Sequence, residues 1–433
     1  MIGRFLFVYI VYGLVAHENA QIHSGATSQT VEKIRADGFP AETHSVTTSD
    51  GYILEMHRIP HGREAVDSDV KRPVVFLMHG LMGASNQYIM LGANNSFAYN
   101  LADEGFDVWM GNARGNSYSR KHITLDPDHN TQRLQFFDFT FEEIGIHDLP
   151  AMIDYALNYT ESSQLHYIGH SQGGTVFLVL TSLMPQYNSK IASAHLLAGV
   201  GYQAYFPNEM LSELAVDVDS IYALATAMGI VELYPDLFLS QSRTNGFRMS
   251  DYCTGNLEQK HMCDLFGIGQ ILRNSSSAAQ EFTPSGASLK QVAHYGQNIR
   301  DKLFRRYHFG TESNQVQYGL AEPPPYNLSL ISCKVTMHYS MNDTLLDEKD
   351  VLTMVEDMPN AIARRVARES FDHSDYVTAL DAKELVTDFI INDIKNTLID
   401  GAPGSASKTF LTTYLSLCSL IMIFISSTKV FCF

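Results

Sequence analysis

The chain has 433 residues, 45% of them hydrophobic and 18% charged, which suffices for a sizeable core and excludes a wholly disordered protein. Its formal net charge is −17, with 47 acidic against 30 basic residues. That balance argues against a nucleic-acid partner, because phosphate binding needs a basic face.

At the N-terminus, "MIGRFLFVYIVYGLVAHENA" sets Arg4 before an apolar run from Phe5 to Val15, with Ala16 and Ala20 following. This is the layout of a secretory signal peptide, spanning about residues 1–20. The chain is therefore expected in an oxidising compartment. Sequons at Asn94, Asn158, Asn274 and Asn327 agree and are candidate glycosylation sites. The match at Asn342-Asp343-Thr344 is set aside, because a glycan there would crowd Asp343, a candidate catalytic residue. Cys253 and Cys263 lie close together in a polar stretch. They read as a disulfide closing a short loop, worth roughly 2–3 kcal/mol, with two free thiols as the alternative. Cys333, in a strand-like apolar run, reads as a buried thiol, and Cys418 and Cys432 belong to the C-terminal tail.

"DGYILEMHRIPHG" reads as a strand. On a strand His57 and His61 are about 13 Å apart, too far to share a metal. "RPVVFLMHG" is a buried strand, and "GFDVWMGNARGNS" a strand running out into a Gly/Asn loop without the lysine of a phosphate-binding loop. The Phe136-Phe137-Asp138-Phe139 cluster reads as core or loop anchor. "HDLPAMIDYALNYT" has helical spacing, with Asp148 as its expected N-cap. "LHYIG" is a strand and "GGTVFLVLTSLM" a helix; "CKVTMHYS" is a strand, "EKDVLTMVEDM" a helix and "AKELVTDFIINDIKNTL" a closing helix. This alternation predicts an α/β fold with a mostly parallel sheet covered on both faces.

Gly169-His170-Ser171-Gln172-Gly173 sits between a strand and a helix. At a sharp strand-to-helix turn the serine backbone is strained and neighbouring chains come close, so Gly169 and Gly173 are required on either side. Such a nucleophile elbow lifts the Ser171 hydroxyl to the top of the sheet and turns the Gln172 N–H toward an oxyanion. A nucleophilic serine needs a base, and the base an orienter, in the chain order serine, acid, histidine. Asp343 in "MHYSMNDTLLD" and His373 in "RESFDHSDYV" occupy those places. The second oxyanion donor is expected after an early strand, at the N–H of Leu81 in "FLMHGLMG", with His79 shaping the turn.

The segments "VEKIRADGFPAETHSVTTSDGYILEMHRIPHG", "HGLMGASNQYI", "LADEGFDVWMGNARGNSYSRKH", "FDFTFEEIGIHDLPAMIDYAL", "IGHSQGGT", "PPPYNLSLISCKV" and "NDTLLDEKDV" resemble the acid lipase family over about residues 28–398. The resemblance implies an α/β-hydrolase core and hydrolysis of triacylglycerols or cholesteryl esters through a serine triad, with no cofactor and no metal. It carries the triad to Ser171, Asp343 and His373 and the oxyanion donors to Leu81 and Gln172. Two positions depart from the family pattern. Gly174 stands where a threonine is usual and is expected to loosen the helix start, and "DHSDY" replaces an asparagine-histidine-leucine run around His373.

These readings divide the chain into a core over 28–201, a mainly helical cap or mobile lid over 202–325, the rest of the core over 326–399, and a tail over 400–433. The tail "DGAPGSASKTFLTTYLSLCSLIMIFISSTKVFCF" begins with small residues and ends apolar, the layout of a GPI-attachment signal with its site between Asp400 and Ser405. A membrane-spanning helix is the rival, although the run from Phe410 to Ile425 is short for one. The expected location is the secretory pathway, ending outside the cell, on its surface or in the lysosome. The expected partners are a neutral lipid ester and a lipid–water interface. A non-catalytic lipid carrier on the same fold is the alternative function.

Overall fold

The computed structural model describes residues 26–64, 70–233 and 285–400. Two units are distinguished, residues 1–388 and 389–433. The sheet lies within the first unit. Of the second, only the C-terminal helix is described.

The strands are β1 (Glu42–Thr47), β2 (Tyr52–Ile59), β3 (Val74–Met78), β4 (Asp107–Gly111), β5 (Lys121–His122), β6 (Leu165–His170), β7 (Ile191–Leu197), β8 (Val335–Tyr339) and β9 (Ala361–Arg365). They form one sheet in the order β1-β2-β4-β3-β6-β7-β8-β9, with β5 paired to β2. From β4 to β9 every pairing is parallel, and the β1-β2, β2-β4 and β2-β5 pairings are antiparallel. The uninterrupted apolar run Val74-Val75-Phe76-Leu77-Met78 is buried along its whole length, as a strand covered on both faces must be. The edge strand β9 instead exposes Ile362 and carries Arg364 and Arg365, charges that blunt pairing with another chain.

The covering helices include α1 (Ala26–Ala36), α2 (Phe97–Asp103), α3 (Leu149–Tyr159) and α4 (Gln172–Leu183). In α3, Leu149, Met152, Ile153 and Ala156 recur at helical spacing and are fully buried, so one face meets the core. Its start corrects the sequence expectation. Helical structure runs from Phe141 through Asp148 without a break, and the Asp148 side chain caps nothing. It accepts from Arg114 N at 2.9 Å and Arg114 Nε at 2.7 Å, and so serves as counter-ion to a buried guanidinium. Phe136, Phe137 and Phe139 are buried in the core.

Between β7 and β8 lie α5 (Glu209–Val216), α6 (Val218–Ala227), α7 (Leu289–Asp301) and α8 (Thr311–Tyr318). A two-residue ladder joins Glu232–Leu233 to Ala287–Ser288. Helix α7 is anchored to the core. Lys290 pairs with Asp138 at 2.6 Å, the His294 ring stacks on Phe141 at 3.8 Å, and the Tyr295 hydroxyl donates to Thr175 Oγ1 at 2.9 Å. After β8 come α9 (Glu348–Asp357) and α10 (Asp388–Asp400). The expected signal peptide, the Cys253–Cys263 disulfide, the Asn274 sequon and residues 401–433 of the tail fall outside the described residues.

Candidate active site

The site assembles at the carboxyl ends of the parallel strands, where an open α/β sheet leaves its crevice. Ser171 follows β6 directly, with φ 53° and ψ −116°, and donates its N–H to Leu197 O at 2.9 Å. Its left-handed φ is a strain of about 1–3 kcal/mol that the surroundings must hold, and they do so by close approach. A Cβ on Gly169 would lie 2.5 Å from the Gly173 carbonyl, and one on Gly173 would lie 2.1 Å from Met78 O. The Tyr167 hydroxyl pins the turn from below by donating to Gly173 O at 2.7 Å. Gly174 is equally constrained, since a Cβ there would sit 2.5 Å from Gly199 Cα. The approach of Gly199 from the β7 loop thus requires a glycine here, a constraint the sequence does not show.

The loops after β8 and β9 bring Asp343 and His373 to the serine across 172 and 202 positions of chain. His373 Nε2 is 2.7 Å from Ser171 Oγ, and His373 Nδ1 is 3.0 and 2.9 Å from the two Asp343 oxygens. A carboxylate can only accept, so Nδ1 carries the proton and Nε2 is free to accept from the serine hydroxyl. Asp343 is held in turn by the N–H groups of Leu345 at 2.8 Å and Leu346 at 3.1 Å. Burial lowers the His373 pKa, but the charge of Asp343 and its hydrogen bond outweigh this, and the net shift is upward. Ser171 stays partly exposed, whereas Asp343 and His373 are buried.

The expected oxyanion donors flank the serine. Gly80 closes on the elbow so tightly that a Cβ there would be 3.1 Å from Ser171 Cβ, and Leu81 comes next in the chain. Gly83 N–H bonds Gly80 O at 3.0 Å, and Met82 takes φ 57°, so Leu81 lies in a tight turn. Neither Leu81 N–H nor Gln172 N–H donates to an acceptor among the described residues. His79 shapes this turn as expected. Its Nε2 accepts from Ala113 N–H at 3.0 Å and its Nδ1–H donates to Gly80 O at 2.8 Å, while burial lowers its pKa to about 4 and keeps it neutral. His57 and His61 share no metal site, since His57 is bonded within the core to Glu55 and Ser85 and His61 to its neighbour's carbonyl. No group of metal ligands occurs among the described residues.

Two site residues escape sequence reasoning. His170, inside the elbow motif, donates Nε2–H to His373 O at 2.8 Å and so fixes the backbone that carries the imidazole. Burial lowers its pKa to about 3, with the nearby His373 charge adding to the effect, so it remains neutral. Gln291 on α7 accepts from Gln172 Nε2 at 2.7 Å and ties the elbow to the insertion. Next to it Leu81, Leu289 and Val292, each half-buried, pack around a cluster of Met82, Leu233 and Ala287. The sequence marks His170 only by its place in the motif, and nothing local marks Gln291.

A family model described as a partial alpha/beta-hydrolase lipase region matches residues 30–92, and one described as the alpha/beta hydrolase fold matches residues 73–227. Lipase 3 of Drosophila melanogaster is 36% identical over 84% of this chain and 92% of its own length. Lysosomal acid lipase/cholesteryl ester hydrolase of Homo sapiens is 33% identical over 82% of this chain and 88% of its own. Gastric triacylglycerol lipase of Homo sapiens is 31% identical over 86% of this chain and 93% of its own. With the sheet order and the elbow already in place, relatives of this likeness along most of the chain make it a member of the acid lipase family, on the α/β-hydrolase fold, and a carboxylic ester hydrolase.

Proposed function

We propose that the chain is a lipase that cleaves triacylglycerols or cholesteryl esters through an acyl-enzyme on Ser171. His373 Nε2 takes the hydroxyl proton as Ser171 Oγ bonds to the ester carbonyl carbon. Asp343 holds the Nδ1 proton and balances the imidazolium. The oxyanion accepts from Leu81 N–H and Gln172 N–H. The carbon–oxygen bond to the alcohol then breaks, and His373 hands its proton to the leaving oxygen. Water repeats the sequence against the acyl-enzyme and releases the fatty acid. The half-buried Leu81, Leu289 and Val292 beside the elbow suit an acyl chain. The observation that carries the reading is the His373 Nε2 to Ser171 Oγ distance of 2.7 Å, with Nδ1 on Asp343.

Ser171→Ala tests it. Turnover of emulsified lipid esters falls on the order of 10⁶-fold while the protein still folds, and a folded variant with most of its activity overturns the mechanism. A secreted route fits the surface positions of Asn94, Asn158 and Asn327, all exposed and open to glycan. The insertion over 202–325 serves as the cap of the lipid site, and the tail as a GPI-attachment signal. No described helix is long and apolar enough to cross a membrane. Phosphatidylinositol-specific phospholipase C applied to intact cells releases active enzyme if the anchor reading holds. A tag after Phe433 that persists on the mature protein overturns it.

A further inference from the structure

Directly before His373 stands Asp372, a carboxylate 3% exposed. Its Oδ1 accepts from Ser374 N at 3.0 Å and Ser374 Oγ at 3.1 Å, and it forms no ion pair among the described residues. The nearest arginine on its own loop, Arg368, is spent on Asp375 and Asp381. A buried carboxylate without a counter-ion is costly, and such groups concentrate at functional sites. Hydrogen bonds from Ser374 alone do not offset that cost, so the position calls for an account.

The surroundings give one. From the β8 loop Asp343 accepts from His373 Nδ1–H at 2.9 Å and adds a like charge to Asp372, and from Asp372's own loop Asp375 accepts from Asp372 N at 3.1 Å and adds a second. From the end of β6 the neutral His170 ring lies 5.5 Å from the His373 ring, and Tyr376, whose hydroxyl burial keeps protonated, packs 6.1 Å from His170. Asp372 is thus an anion poised beside an imidazole that must be neutral to accept a proton.

We propose that Asp372 is a positioning residue that acts on His373 through its charge, favouring the imidazolium and so raising the pH below which the enzyme loses its general base. The proposal rests on the reading of Ser171, His373 and Asp343 as the catalytic set. Burial, the charge of Asp375 and that of Asp343 outweigh the Ser374 hydrogen bonds and raise the Asp372 pKa to about 6. The amide at this position, as in Asp372→Asn, keeps the shape and the Ser374 contacts and removes the charge.

The test is the pH dependence of covalent labelling of Ser171 by an uncharged organophosphonate, which reports the basicity of His373 without a lipid interface. In Asp372→Asn the midpoint of the acid limb moves down by about half a pH unit or more. On the limb the variant's rate, relative to its own plateau, is then about threefold above wild type. A midpoint that stays in place or moves up overturns the proposal. If Asp372→Asn does not fold, Ser374→Ala removes a donor that holds Asp372 ionised, and its limb moves in the same direction. Absence of label on Ser171 in the wild-type protein would instead sink the catalytic reading itself, so the two failures are distinct.

Discussion

Gly173→Ala is the sharpest probe of how the elbow is built. The new Cβ would lie 2.1 Å from Met78 O, 2.9 Å from Met78 C and 3.2 Å from His79 O. An ordinary carbon–oxygen contact is about 3.3 Å, so the two backbones must part by about 1 Å. Neither yields cheaply. Met78 O also accepts from the buried Tyr88 hydroxyl at 2.7 Å, and Met78 belongs to a strand paired on both sides. The displacement enters the site from two directions, because Met78 leads into the Leu81 turn and Gly173 follows Ser171. A misplacement of about 1 Å costs roughly 10²-fold in rate, and overpacking costs about 1–3 kcal/mol of stability. The assay is kcat/KM on a soluble short-chain ester, with thermal unfolding measured on the same preparation. A Gly173→Ala protein with wild-type kcat/KM and unfolding midpoint would refute the reasoning. Gly92→Ala is the control, since that glycine has nothing within 4 Å of its Cβ position and carries only the strain of φ +76°. It should lose stability without losing activity.

Asp343→Asn should keep the fold and lower kcat by about 10⁴-fold, because an amide lets the imidazole settle in the wrong tautomer; unchanged circular dichroism beside the lost activity checks this. His170→Phe removes the donor to His373 O; the buried carbonyl left unpaired costs about 1–3 kcal/mol, and kcat should fall more than KM rises. Asp372→Asn should stabilise the protein at neutral pH by up to about 3 kcal/mol, since the native pKa of Asp372 lies about two units above its unfolded value. The native state holds that proton more tightly, so the cost of the charge is full above about pH 6 and absent below the ordinary carboxylate range. Denaturant melts of both proteins at the two pH extremes should therefore differ only at the upper one.

The strands, the elbow and the three residues of the proposed triad were legible because each leaves a local mark. β3 and β6 are short apolar runs that end in glycine motifs, and Ser171, Asp343 and His373 each follow a strand in the chain order the chemistry requires. What stayed hidden is pairing across the chain. Asp148 looks like a helix cap from its neighbours, and only the fold brings Arg114 to it from the β4 loop. His170 reaches His373 across 203 positions, and Gln291 reaches Gln172 across 119, with no periodicity or spacing to announce either. The reason for Gly174 is hidden in the same way. Its helix propensity is local, whereas the approach of Gly199 that requires it is not.

The core holds a second serine–histidine–carboxylate set that sharpens what the site requires. His57 Nδ1 is 2.7 Å from Ser85 Oγ and His57 Nε2 is 2.9 Å from Glu55 Oε1, distances that match those around His373. By distance alone the two sets are equivalent. Yet Ser85 and His57 have no exposed surface at all, and the Ser85 backbone N–H is already donated to Asn112 Oδ1 at 2.9 Å. No carbonyl can reach that hydroxyl, and an anion formed there would lose its own serine's amide as a donor. Ser171 differs in exposure and in the neighbouring amides, although its own N–H is likewise committed, to Leu197 O at 2.9 Å. It is partly exposed, and the N–H groups of Leu81 and Gln172 have no acceptor among the described residues. The hydrogen-bonded trio is thus the cheaper part of the machinery, available wherever three polar side chains must satisfy one another in a core. The strained turn at φ 53°, with a partly exposed hydroxyl near backbone donors that have no acceptor among the described residues, is the part on which the proposed mechanism depends.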